Sequence, residues 1–324
     1  MRGLTVILKS MENFWQTLNR PILALAPLSG ITDSAFRQVC KSFGADLVYS
    51  ELASTAGLVF NPRLTLKMLQ FDPSERPYIV QFFGSNPDHF AKATRLVTET
   101  LRPDGIDINF GCPVPKVIKS GAGAALMTNL PLAREVISAV ISSTHLPVSI
   151  KTRTRVKDVD LEEFLEYVSD LDIKALMIHG RTFAQRFSGP NDYEKTKRAR
   201  LLFKGVVLAN GGATDAEKGI ELLRETGADG LGIARGALGR PWIFRELKGM
   251  LNGGPPEPLS IADRVRTAME HARLAEEVKG NRGILEMRKH LCWYIQNIPD
   301  AGKVRQKLAG AKSLREIGEI LESI

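Results

Sequence analysis

The octet IDINFGCP at residues 106–113 places a thiol where a barrel enzyme does its chemistry. Its apolar run reads as a buried strand that stops at Asn109 and Gly111, and Cys112 follows between Gly111 and Pro113. In a parallel α/β barrel the residues just past a strand's C-terminal end line the active site, whereas those at the other end serve stability. A free cysteine can also be a small buried hydrophobe, so the rest of the chain has to decide. Lys151 and His179 end two further apolar runs. A lysine buried in a core strand would be costly, which favours a place at the rim; a histidine can serve structure or function. Gln81 ends another run and can hydrogen-bond a flat heterocycle. Asn210-Gly211-Gly212 and Ala234-Arg235-Gly236 follow the last two runs, where barrels of this class often hold a phosphate on backbone N–H groups. Glycine lets the backbone approach closely, and Arg235 adds a fixed charge.

Eight short Val/Ile/Leu-rich runs position these residues: 22–26, 47–50, 78–82, 105–109, 147–151, 175–179, 205–210 and 230–233. They lack strict alternation, as strands buried on both faces do, and amphipathic stretches between them read as helices, including 91–101 and 132–143. The stretch 214–227 opens on a Thr214 N-cap ahead of Glu217, a capping box. Eight βα units predict an α/β fold, a (β/α)8 TIM barrel; an open doubly wound sheet is the alternative, but no G-x-G-x-x-G follows the first strand. Gly253, Gly254, Pro255, Pro256 and Pro258 then read as a linker, and beyond it only helices are written, 261–278 and 284–298 among them, with a Ser313/Glu316 capping box before the last. The expected organisation is an extension at 1–20, a catalytic barrel at 21–250 and a small all-helical C-terminal domain at 259–324. Helical spacing assigns Trp293 and Tyr294 to that domain's core.

The 324 residues carry a net charge of +8 and a hydrophobic fraction of 44%. No apolar run approaches the roughly 18 residues needed to span a bilayer, and the patch 4–8 between Arg2 and Lys9 lacks a signal peptide's apolar region and cleavage site. A cytoplasmic protein without membrane contact is expected. Cys40, Cys112 and Cys292 form no C-x-x-C pair and the five histidines lack metal-ligand spacing, so no metal is expected. The positive charge makes a polyanion a plausible substrate. Between Arg282 and Arg315 eight basic residues face two acids, Glu286 and Asp300, and a second group, Lys195, Lys197, Arg198, Arg200 and Lys204, is nearly acid-free. The two phosphate loops, the cation and the amide on one rim suggest FMN.

Six motifs in order carry a resemblance to the tRNA-dihydrouridine synthases, most of all their bacterial B-type branch: LAPLSGITDSAFR from Leu25, INFGCPVPKVIKSGAGAALM from Ile108, IKTR from Ile150, IHGRT from Ile178, LANGG from Leu208 and IARGALGRPWIF from Ile233. The resemblance implies that FMN is held by Pro27, Leu28, Ser29, Gln81, Lys151, His179, Asn210, Gly211, Gly212, Ala234 and Arg235. It implies that Cys112 is the proton donor and that Asn109 and Arg181 lie near the target base. The implied reaction is reduction of a D-arm uridine of tRNA to 5,6-dihydrouridine with NADPH or NADH as reductant, a hydride going to C6 and a proton from Cys112 to C5. A monomer is expected.

Two departures stand out. Gly212 replaces an acidic residue that the family often has after Asn-Gly, and Ala234-Arg235 stands where Gly-Arg is common. Two other readings stay open on the sequence: an FMN barrel oxidoreductase acting on a small molecule, such as a dihydroorotate dehydrogenase, and a tRNA-binding protein without catalysis.

Overall fold

Alternation along eight parallel strands sorts this chain into a lumen and an outer wall. The computed structural model describes residues 13–296, 298 and 300–324; most of the expected extension, with Arg2, Lys9 and the patch 4–8, lies outside the described residues. The strands are Ile22–Leu25, Leu47–Ser54, Tyr78–Phe83, Gly105–Asn109, Val148–Arg153, Ala175–His179, Val206–Asn210 and Gly230–Ile233. Each pairs with the next and the eighth pairs with the first, closing the expected barrel. Strands two and five run further than the sequence suggests. Thr152 and Arg153 pair with Ile178 and His179, and Leu52 with Gln81, so polar residues that read as loop continue the ladder.

Leu23, Leu25, Val48, Val80, Ile106 and Ile108 point outward and pack under the helices, each contributing about 1.5–3 kcal/mol through burial. The alternate residues Ile22, Ala24, Tyr49, Ile79, Met177 and Leu208 fill the lumen. Trp15, 1% exposed, joins them from the turn Phe14–Gln16, and Phe14 lies against the start of strand four at Gly105. The chain thus closes the barrel's floor before its first strand begins. Toward the C-terminal strand ends the inward positions turn polar: Asp107 and Asn109 on strand four, Ser149, Lys151 and Arg153 on strand five, His179 on strand six and Asn210 on strand seven.

The flanking helices include Pro87–Thr100, Leu130–Ile141 and Ala216–Thr226. The last is capped by Asp215, not Thr214: the Asp215 carboxylate accepts from the Lys218 N–H at 2.8 Å, and Thr214, whose hydroxyl donates to Asp215 at 3.1 Å, lines the cavity above. Beyond the linker, helices Ile261–Lys279, Asn281–Tyr294, Ala301–Gly310 and Leu314–Leu321 form the tail. Ser313 caps the last one through the Glu316 N–H at 3.2 Å, but the Glu316 carboxylate turns back to the Lys312 N–H, so the reciprocal box does not close. The helix expected to reach residue 298 stops at Tyr294, because Ile295 leaves the helical conformation at ψ 76°. Tyr294 is buried, with its hydroxyl 3.2 Å from His271 Nδ1, while Trp293 is half-buried with its ring edge against His290. Ala35 and Trp242 of the barrel join the tail's core, and Lys279 reaches Asp33 at 2.6 Å. No helix among the described residues is long and apolar enough to cross a membrane.

Candidate active site

The thiol of Cys112 is located by a chain of hydrogen bonds that begins inside the lumen. Ser149 Oγ donates to Asp107 Oδ1 and Gln81 Nε2 donates to Asp107 Oδ2, both at 2.6 Å. Asn109 Nδ2 donates to Gln81 Oε1 at 2.9 Å. Asn109 Oδ1 then accepts from the backbone N–H groups of Gly111 at 3.1 Å and Cys112 at 2.9 Å. Burial pushes the Asp107 carboxyl up to about 6, while Ser149, Gln81 and the nearby Lys151 oppose the rise. Burial also raises the Cys112 pKa, against the pull of the Val114 backbone, Arg153 and Lys151, so the group stays a thiol at neutral pH. Gly123, at φ 61°, closes the loop behind it: a Cβ there would sit 3.0 Å from the Cys112 carbonyl oxygen.

A cavity of about 310 Å³ opens at the C-terminal ends of the strands. Every residue named from the sequence lines it except Gln81. Pro27, Leu28 and Ser29 come from the loop after strand one, Gly211 and Gly212 from that after strand seven, and Ala234 and Arg235 from that after strand eight. Gln81 is completely buried and braces Asn109 instead of facing the cavity. Asn109 does face it, though its amide is largely engaged with Gln81 and the Cys112 loop.

Four cations surround the space, Lys151, Arg153, Arg181 and Arg235, and among the described residues no carboxylate lines it. Burial lowers the Lys151 pKa to about 8, with Arg153 adding to the effect; its Nζ donates to Asn210 Oδ1 at 3.0 Å, and Asn210 Nδ2 donates to the Gly232 carbonyl at 2.6 Å. His179 is driven down to about 2, first by burial and then by the four cations. It is therefore a neutral imidazole at any physiological pH, with Nε2 3.5 Å from an Arg181 guanidinium nitrogen.

Arg153, Asp107 and Phe187 escaped the sequence reading. Arg153 is 2% exposed, and burial lowers its pKa to about 10. It donates to the carbonyls of Gly111, Thr182 and Arg186 at 2.7, 3.0 and 2.9 Å. Period-two alternation from Lys151 would have placed it on the same inward face. Phe187 shares its loop with a second aromatic, Phe183, which packs against the core, and nothing local in the sequence tells the two apart.

These residues fit a phosphorylated flat heterocycle. At Gly211, φ 96°, a Cβ would lie 2.4 Å from His179 Cδ2, so only glycine allows loop and imidazole to meet. Among the described residues, nothing in the chain accepts from the backbone N–H groups of Gly212 and Ala213, and Arg235 lines the same wall. Free donors beside a fixed cation suit an anion, and Lys151 and Asn210 present polar atoms further inside. No group of three or more His, Cys, Asp or Glu side chains capable of holding a metal occurs among the described residues.

The surface cations are less available than their number suggests. Lys195 pairs with Asp160 at 2.7 Å and Glu162 at 3.0 Å, and Arg200 pairs with Asp229 at 3.0 Å. In the tail, Arg288 and Arg305 donate to the carbonyls of Ala311 and Ile295, and Arg282 pairs with Glu286. Lys307 and Lys312 form no ion pair among the described residues.

A family model described as "Dihydrouridine synthase (Dus)" matches residues 24–324, spanning barrel and tail. A protein of Escherichia coli K12 named "tRNA-dihydrouridine synthase B" is 36% identical over 317 residues, covering 95% of this chain and 97% of that protein. A Synechocystis protein named "Probable tRNA-dihydrouridine synthase 1" is 31% identical over 322 residues, covering 98% of this chain and 90% of that protein. Among solved structures, histamine dehydrogenase from Rhizobium sp. 4-9 aligns with a TM-score of 0.55 at 12% identity, covering 78% of this chain and 48% of that one, a likeness of fold alone.

Proposed function

This chain belongs to the dihydrouridine synthase family, and from that premise we propose that it reduces a D-arm uridine of tRNA to 5,6-dihydrouridine, using FMN and NADPH or NADH. The observation that carries the reading is the thiol of Cys112 at the wall of a cationic cavity that, among the described residues, no carboxylate lines. Gly212, Ala213 and Arg235 would hold the phosphate of FMN, and Lys151, His179 and Asn210 would face its ring system. When bound, FMN supplies the hydride that the uracil takes at C6.

The protein's own part is acid catalysis and positioning. As hydride reaches C6, negative charge builds toward C5 and the C4 carbonyl, and Cys112 gives its proton to C5, a general-acid step typically worth about 10²–10⁴-fold. Lys151 offers a fixed cation to developing negative charge. Gln81 acts at one remove, through Asn109. A stacked uridine cannot reach Cys112, so the base is flipped into the cavity at a cost of a few kcal/mol, offset by cationic contacts to the tRNA backbone. The protein acts in the cytoplasm as a monomer.

A small-molecule FMN oxidoreductase is disfavoured because the family match runs through the helical tail to residue 324; a tRNA binder without catalysis is disfavoured because Cys112, Lys151 and His179 line one cavity. The test is mass-spectrometric nucleoside analysis of tRNA lacking dihydrouridine after incubation with the protein, FMN and NADPH. A gain of two hydrogens on uridine is expected. Absence of that gain, from a protein that holds FMN and oxidises NADPH, rules the reading out in favour of another acceptor.

A further inference from the structure

A buried carboxylate beside the cavity has no part in the chemistry above. Glu51, near the end of strand two, is 9% exposed, and burial raises its pKa. The register between strands two and three shifts between Tyr49 and Leu52, so strand two carries one extra residue there. Ser50 fills the break: its hydroxyl accepts the Gln81 N–H at 2.9 Å and donates to the Glu51 carbonyl at 2.6 Å. An extra residue of this kind re-aims a side chain. Leu52 lines the cavity, while the Glu51 carboxylate reaches the loop after strand one, where it accepts from the Gly30 N–H.

That loop contains a turn. The Leu28 carbonyl accepts from the N–H groups of Ile31 at 3.1 Å and Thr32 at 3.0 Å, and Thr32 Oγ1 accepts the Leu28 N–H at 3.1 Å; Gly30 sits within it at φ 71°. Neither polar group of Gly30 takes part in the turn. Its N–H goes to Glu51, and its carbonyl accepts from the ammonium of Lys289 on the tail helix Asn281–Tyr294. Stability alone gives no reason for the arrangement. Gly30 is exposed, so water can satisfy its N–H, and taking a carboxylate out of water for that purpose is costly.

We propose that Glu51 and Lys289 are positioning residues for the flavin site, holding Gly30 from two sides so that Pro27, Leu28 and Ser29 meet FMN in a preset conformation; the inference rests on the function proposed above. A loop already held in its bound conformation loses little freedom when the ligand arrives, and affinity rises accordingly. One of the two holds comes from beyond the linker, so the helical tail completes the flavin site.

The test titrates FMN into the stripped full-length protein and into Glu51→Leu, Glu51→Gln, Lys289→Met and Lys289→Arg, reading flavin fluorescence, with melting curves of the FMN-free proteins alongside. Loss of a hydrogen bond to a buried charged group should raise the Kd of Glu51→Leu by about 10- to 100-fold, and loss of the exposed Lys289 bond should raise it by about 2- to 10-fold. Glu51→Gln and Lys289→Arg keep an acceptor and a donor for Gly30 and should return Kd toward the wild-type value. Combining Glu51→Leu with Lys289→Met should raise Kd by less than the product of the single effects, because a turn freed by one change has little left for the other to release. Wild-type Kd in Lys289→Met or in folded Glu51→Leu, whatever the melting temperature, overturns the assignment and leaves the function standing, as does a double variant whose effects multiply. Lys289→Met, a surface change, decides the matter should Glu51→Leu fail to fold. A wild-type protein that binds no FMN removes both.

Discussion

Asn109 Oδ1 accepts the backbone N–H of Cys112 at 2.9 Å, while the same side chain's Nδ2 reaches down to Gln81. One amide thus ties the loop that carries the thiol to the lumen, where Gln81 is held in turn by the buried Asp107. The position of Cys112 depends on barrel packing and not on the loop's own preferences. Asn109 qualifies for this because strand alternation puts it inward, one layer above Asp107.

Replacing Asn109 with Ala should therefore cost both stability and rate. Gln81 Oε1 and the N–H groups of Gly111 and Cys112 lose their partner, and each buried group left unsatisfied costs about 1–3 kcal/mol. The expected outcome is a melting temperature lower by several degrees. Turnover should fall further than stability explains, since a misplacement of about 1 Å can cost 10²-fold. Asn109→Asp keeps an acceptor for Cys112 and should retain more activity than Ala. Equal turnover in wild type and Asn109→Ala would show that the tether does not position the thiol.

Cys112→Ser keeps an O–H donor of much lower acidity in nearly the same volume. Loss of dihydrouridine formation by about 10²–10⁴-fold, the usual worth of a general acid, is expected with the FMN absorbance of the purified protein preserved. A Ser protein working near the wild-type rate would take the proton-donor role away from Cys112.

The barrel was legible because every strand carries a short apolar-rich run, and the rim because each run ends in a polar or glycine motif. What the sequence hid follows from physics that a one-dimensional reading does not resolve. Gln81 reads as a cavity residue from its strand position and from the family resemblance; its partners Asp107 and Asn109 come from the next strand, and pairing them requires the register Gln81 to Asp107. Arg153 reads as loop because arginine is rarely buried, yet three carbonyls satisfy it. Lys195 and Arg200 read as free charge because their acids, Asp160, Glu162 and Asp229, lie more than twenty residues away in the chain.

That neutralisation predicts which cations hold tRNA. Binding should weaken linearly in log Kd against log salt, with a slope of roughly one per phosphate contact. Lys307→Ala and Lys312→Ala, each removing a cation without an ion pair among the described residues, should each reduce the slope by about one and weaken binding across tRNA sequences. Lys195→Ala should leave the slope unchanged, its charge being spent on Asp160 and Glu162. Filter-binding titrations at several salt concentrations decide between these; a slope that falls for Lys195→Ala and not for the tail lysines would reverse the assignment.

Lys151 gives two pH effects of opposite sign. Its pKa in the folded protein is about 8, below the 10.5 of an exposed lysine. Between those values the unfolded chain binds the proton that the folded chain has released, so this group makes the FMN-free protein more stable as pH rises from 8 to 10.5; the cost of a charged buried amine is fully present below 8. FMN binding runs the other way. The protonated amine that would donate to the flavin ring is already in place below pH 8, and above it a proton must be taken up with each FMN, which raises Kd by up to about tenfold per pH unit. Isothermal titration of FMN into stripped protein, beside melting curves over the same range, should show affinity falling while stability rises. Lys151→Met should flatten both trends and bind FMN more weakly at pH 7. Wild-type affinity that does not change between pH 7 and 9.5 would mean that Lys151 does not face the flavin.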